Sequence, residues 1–150
     1  MGRQLAVGDE APDFDLSSTE GVVLMLRDEV PRNVVLLYFF PDPASEAARR
    51  DLAALASARD DLAAERVHLL AIAPAKMPDL SALQAELDLP FPLLRDDRGL
   101  SDAYGVDLSE DGAPALVLVG RDQKVLAIAN PATDVERHLG ELEKAMDGRS

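Results

Sequence analysis

The chain contains no cysteine, and that single absence excludes disulfides, thiolate metal sites and cysteine nucleophiles together. Histidine is scarce too. Only His68 and His138 offer an imidazole, and neither belongs to a motif with ligand spacing, so no metal centre and no cofactor are expected. With no carboxylate placed beside either by the sequence, both read as structural. Long hydrophobic runs are lacking as well. The longest, Val34 to Phe40, is far too short to cross a bilayer, and no basic-then-apolar segment opens the chain. The expected compartment is therefore the cytoplasm, with no membrane partner. Positive charge is in deficit: 15 Lys and Arg stand against 28 Asp and Glu, a formal net charge of -13. Acidic pairs at Asp9 with Glu10, Asp60 with Asp61 and Asp96 with Asp97 would repel a polyanion, so nucleic acid is not an expected partner. No run of five like charges occurs, and the charges read as a solvated surface.

What is present is the material of one domain. The 150 residues, 47% of them hydrophobic, suffice for a single sizeable core, with no internal repeat, low-complexity tract or long linker. Val34 to Phe40 is unbroken, branched and aromatic, which predicts a central strand covered on both faces and ended by Pro41. Ser45 is placed to cap a helix whose apolar positions Ala48, Leu52, Leu55, Ala56, Leu62 and Ala63 share one face, interrupted by Arg59. A second strand is predicted over Val67 to Ala73, then a helix carrying Leu80, Leu83 and Leu87. Short strands follow at Phe91 to Leu94, Ala115 to Val119 and Lys124 to Ile128, the last two joined by Gly120-Arg121-Asp122-Gln123 as an antiparallel hairpin. A C-terminal helix is predicted from Thr133 to Met146. Its cap is threonine, Asp134 and Glu136 lie in the first turn, and Val135, Leu139, Leu142 and Met146 face inward.

A strand-helix-strand crossover forces parallel pairing and a short hairpin forces antiparallel pairing. The expected fold class is therefore α/β: a thioredoxin-like three-layer sandwich, a central mixed β-sheet flanked by helices.

Several spaced motifs then resemble one family in the right order: Val7-Gly8-Asp9-Glu10-Ala11-Pro12-Asp13-Phe14-Asp15-Leu16 with Gly21 and Leu26; Asn33 to Pro41; Leu89-Pro90-Phe91-Pro92-Leu93-Leu94 with Asp96; and Ala103-Tyr104-Gly105-Val106. Together they span roughly residues 5 to 146 and are similar to the peroxiredoxins of the alkyl hydroperoxide reductase and thiol-specific antioxidant type. The bacterioferritin comigratory protein branch, often monomeric, fits best. The resemblance implies a motif Pro-x-x-x-Thr/Ser-x-x-Cys, here Pro41-Asp42-Pro43-Ala44-Ser45-Glu46-Ala47-Ala48. Proline and serine match, and the peroxidatic cysteine is replaced by Ala48. In the family that thiol sits in the first turn of a helix, which favours the thiolate that attacks peroxide. A resolving cysteine five residues on would fall at Ala53. The arginine expected just before the strand at 115 to 119 is also missing, for the chain reads Gly112-Ala113-Pro114-Ala115. That segment is closer to thioredoxin-like reductases and suggests a cis Ala113-Pro114 bond; the alternative is an ordinary trans proline opening an edge strand.

The vestigial pocket implied by the resemblance is thus Pro41, Ser45, Ala48 and Pro114, with Ala53 as the vestigial resolving position and no catalytic residue. Alanine is also simply the best helix former, and Ser45 is read as a cap rather than a substitute nucleophile. Arg49 and Arg50 could contact a small anion at the helix start, or be a solvated pair. Met25, Met77 and Met146 are read as packing residues, with oxidation there damage rather than turnover. Two functions follow. One is a redox-inactive peroxiredoxin-like domain used for binding, regulation or assembly with an unknown protein or small-molecule partner, as a monomer or homodimer. The alternative is a thiol-dependent peroxidase whose cysteines at positions 48 and 53 have been exchanged for alanine; the absent arginine, and Ala47 where the family favours glycine, argue against it.

Overall fold

A computed structural model describes residues 5–30, 32–97, 99–106, 113–129, 135 and 137–141. Its centre is β3 (Val34–Phe39), flanked in parallel by β4 (Val67–Ala73), which pairs in turn in parallel with β5 (Leu93–Arg95). On the other side β6 (Ala115–Val119) runs antiparallel to β3, and β7 (Val125–Ala129) antiparallel to β6, giving the order β5-β4-β3-β6-β7. The mixed sheet expected from the crossover and the hairpin is therefore present.

Alternation along β3 explains why its sequence is apolar throughout. Leu36, Tyr38 and Phe40 feed one core cluster, which also contains residues of α2 (Glu46–Ala64) and α3 (Met77–Leu87). Val35, Leu37 and Phe39 feed a second cluster on the opposite face. Both sets are fully buried, so none of these positions tolerates an unpaired polar group cheaply, and only Val34 at the start of the strand is partly exposed. Ala48, Leu52, Leu55 and Leu62 form the buried stripe of α2. Ala63 does not join that stripe as expected: it falls on the exposed side near the helix end, and Ala56 is only half-buried. Arg59 is exposed.

The second cluster is closed by elements that sequence periodicity did not reveal. A hairpin of β1 (Asp15–Ser17) and β2 (Val23–Met25) leads into the short α1 (Leu26–Glu29), and α4 (Leu100–Ala103) covers the same face. Asp13 holds this cover down. Its carboxylate accepts from the Phe14 amide at 2.8 Å and from Arg27 Nη1 at 2.6 Å. The Tyr104 hydroxyl donates to the Pro12 carbonyl at 2.7 Å. Burial pushes that phenol well above its ordinary range, and the Asp13 charge adds to the push. Asp96, expected at the solvated surface, is instead buried. Its carboxylate accepts the Leu100 and Ser101 amides at 2.8 and 2.9 Å, satisfying the open start of α4.

Two strand boundaries move. β5 begins at Leu93 rather than Phe91, after Pro92, which has no N–H for the ladder. β7 begins at Val125 because Lys124 closes the turn, its carbonyl accepting from Gly120 N–H at 2.8 Å, with Gln123 left-handed at φ 64°. β6 is an interior strand, so Pro114 opens an interior rather than an edge strand. Val135 and residues 137–141 are helical, with Val135 and Leu139 buried in the first cluster. Thr133, Asp134, Glu136, Leu142 and Met146 lie outside the described residues. Among the described residues no helix is long and apolar enough to cross a membrane.

Candidate functional site

The chemistry implied by the sequence converges on the C-terminal end of β3. After Phe39 the ladder stops at Pro41 and Pro43, and a turn forms in which Asp42 accepts the Ala44 amide on its side chain at 2.9 Å and the Ser45 amide on its carbonyl at 3.1 Å. Ser45 then caps α2 as expected: its Oγ accepts from the Ala48 N–H at 3.3 Å. The first-turn donor nearest position 48 is thereby occupied by the protein itself. The Ala48 side chain is 2% exposed and packs within the cluster that holds Tyr38, Phe40 and Leu52. A methyl group there has neither a proton to lose nor a lone pair to offer.

Beneath it, Tyr38 donates its hydroxyl to Asp51 Oδ2 at 2.8 Å and stacks on Phe40 with ring centroids 5.5 Å apart. Burial pushes this phenol well above its ordinary range, and the bonded, charged Asp51 adds to the push. The pair ties the first turns of α2 to the central strand.

Ala53 is exposed on the far side of the helix. Five residues of α-helix turn through about 500° and rise about 7.5 Å, so positions 48 and 53 face about 140° apart. Side chains there could meet in a disulfide only if the helix unwound. The register Phe39↔Ala115 brings Pro114, half-buried, to the same end of the sheet as Pro41 and Ala48. Gly112 lies outside the described residues.

Beside the 41–44 turn, a groove of about 480 Å³ runs between the start of α2 and α3, lined by Pro41, Asp42, Arg49, Asp79, Leu83 and Glu86 among others. Of the two readings open for Arg49 and Arg50, anion contacts or a solvated pair, the groove gives the first little support. Arg49 Nη1 is paired with Glu86 Oε2 at 2.7 Å across the groove, and Asp42 and Asp79 add further negative charge. Arg50 is exposed and does not line it. An anion entering here would meet more carboxylate than free guanidinium.

One arrangement was missed altogether by sequence reasoning. At the opposite end of the sheet His68 Nδ1 lies 2.6 Å from Glu29 Oε2, a contact between residues 39 apart that no local spacing signals. His138, by contrast, has its Nδ1 3.9 Å from Glu141, and its buried Nε2 has no hydrogen-bond partner among the described residues.

Known proteins share this architecture. The model of the AhpC/TSA family matches residues 7–128. The Coxiella burnetii protein that carries the peroxiredoxin name bcp is 25% identical over 146 residues, covering 92% of this chain and 96% of its own. Peroxiredoxin-6 of Gallus gallus is 26% identical over 163 residues, covering 95% and 72%. Among solved structures, the peroxidoxin BcpB of Mycobacterium tuberculosis superposes with a TM-score of 0.87 at 18% identity, covering 97% and 98% of the two chains. The bacterioferritin comigratory protein of Xanthomonas campestris gives 0.81 at 16% identity, covering 97% of each. With the thioredoxin-like sheet, the capped helix after Pro41 and a family match over most of its length, this cysteine-free chain belongs to the AhpC/TSA family of peroxiredoxins.

Proposed function

We propose that the chain keeps the peroxiredoxin scaffold for binding, regulation or assembly and does not turn over peroxide. The observation that carries this reading is Ala48: the position of the reacting thiol holds a methyl group packed into the core, while the proline, the serine cap and the helix around it are kept. Loss of the thiol leaves no atom in the pocket able to be oxidised to a sulfenic acid and reduced again. The neighbouring groove is the face offered to a protein or small-molecule partner, by a monomer or a homodimer. Its charges, Arg49 against Asp42, Asp79 and Glu86, favour a ligand without net negative charge.

The alternative, a peroxidase whose cysteines have been exchanged, draws its support from alanine at both redox positions. Hydrogen peroxide consumption with a thiol reductant, followed for this chain and for Ala48→Cys, separates the two. Saturable turnover by Ala48→Cys would favour an exchanged peroxidase. Silence from both supports a scaffold that has left the chemistry.

A further inference from the structure

A second cavity lies at the opposite end of the sheet from Ala48, about 20 Å away along the six residues of β3. It measures about 230 Å³ and is lined by Glu29, Asn33, Ala63, Arg66, Val67 and His68. That volume is below the usual range for drug-sized ligands and suits a molecule of a few heavy atoms. Its polar groups come from four separate places: Glu29 at the end of α1, Asn33 before β3, Arg66 in the turn between α2 and β4, and His68 on β4 itself.

The Glu29 side chain is 17% exposed and that of His68 39%. A carboxylate accepts, so at 2.6 Å the His68 Nδ1–H donates to Glu29, which fixes the ring and leaves Nε2 for the cavity that His68 lines. Arg66 is exposed beside it, and Asn33 supplies an amide. Around them Glu65 and Arg32 are both exposed, and the Arg32 amide donates to the Glu29 carbonyl at 3.1 Å.

Arg66 stands where glycine is favoured. It follows the C-cap of α2 at φ 62°, its N–H donating to the Ala63 carbonyl at 3.0 Å and its carbonyl accepting from Val34. A helix end that turns left-handed usually takes glycine, and a side chain there costs stability. Arg66 thus lines the cavity from a backbone conformation that disfavours a side chain.

We propose that this cavity binds a small oxyanion, a carboxylate or phosphate group, held by the Arg66 fork and the Asn33 amide, with His68 Nε2 bonding to a hydroxyl of the same molecule. An arginine fork matches carboxylate and phosphate oxygens in paired hydrogen bonds. The cavity lies at the other end of the sheet from Ala48, and binding there is independent of whether peroxide is consumed.

The full chain is titrated with sodium lactate and, separately, with inorganic phosphate, against sodium chloride of matched ionic strength, following the His68 ring and Asn33 side-chain NMR signals. Saturable shifts with lactate, phosphate or both, and none with chloride, are expected; the two arms tell a hydroxycarboxylate from a phosphate. Arg66→Gly relieves the left-handed residue, so it should melt at the same or a higher temperature while losing at least about tenfold in affinity. His68→Asn should lose binding likewise, and Arg59→Ala, exposed on α2 outside the cavity, should not. Shifts that never saturate, no shifts at all, or binding that survives Arg66→Gly would overturn the proposal.

Discussion

Restoring a sulfur at position 48 sets two physical effects against each other at the vacant site. In Ala48→Cys the thiol stands in the first turn of α2, where the helix dipole favours the thiolate by about 0.3–1 kcal/mol, less than one pH unit. Burial opposes it. Ala48 is 2% exposed among Tyr38, Phe40 and Leu52, and desolvation can raise a fully buried group by about 3–5 units. The guanidinium next in sequence, Arg49, is already paired with Glu86 at 2.7 Å. Burial is the larger effect, so the thiol is expected to titrate above the value of about 8.5 for free cysteine, leaving at most about 3% thiolate at pH 7. Labelling by an aromatic disulfide reagent in native buffer should then run at least about tenfold slower than in denaturant, since the thiolate is the nucleophile. The added volume should also cost about 1–3 kcal/mol in a urea melt. A thiol that labels rapidly in native buffer, with a titration midpoint near or below pH 7, would refute the reasoning and show that the pocket still activates sulfur.

Tyr38→Phe removes the 2.8 Å bond to Asp51 and should lower unfolding free energy by about 1–2 kcal/mol in a denaturant titration; an unchanged midpoint would contradict a tie between α2 and β3. Ser45→Ala uncaps α2 and should cost about 1 kcal/mol, with Ser45→Gly costing only a few tenths, as read by thermal melts of the three chains. Asp13 supplies a pH dependence. Burial draws its carboxyl upward, but hydrogen bonds from Arg27 and the Phe14 amide, with the Arg27 charge, outweigh burial and hold it below the ordinary aspartate value. A carboxyl lowered in the folded state contributes stability that is complete above the unfolded value of about 3.9 and is lost as pH falls below it. The pair is substantially exposed and screened by solvent, so its contribution is small. The urea midpoint of the unsubstituted chain should therefore fall more steeply below about pH 4 than that of Asp13→Asn, and parallel acid limbs would rule the contribution out.

The legible parts of the fold were those whose stabilising pattern is contiguous. Val34 to Phe39 is apolar throughout and Val67 to Ala73 is apolar but for His68, and α2 carries its own cap and stripe, so periodicity alone located them. The N-terminal hairpin carries no such signal. β1 buries only Leu16, and the segment is held by distant partners: Ser18 bridges to Leu94, and the Leu93 amide donates to Thr19 Oγ1 across 74 residues. The same reason hid the role of Asp96, which caps a helix of four residues, and the Glu29 contact of His68. At the site, Ser45 and Ala48 were legible because cap and first turn are adjacent in sequence. The pairing of Arg49 was not, because Glu86 approaches from another helix, 37 residues away.

Steady-state consumption of hydrogen peroxide by the unsubstituted chain, with dithiothreitol as reductant and the protein-free rate subtracted, tests the central claim most directly. With Ala48 at the thiol position and no cysteine anywhere in the chain, the difference should be zero at every peroxide concentration. A rate proportional to protein and saturable in peroxide would contradict it.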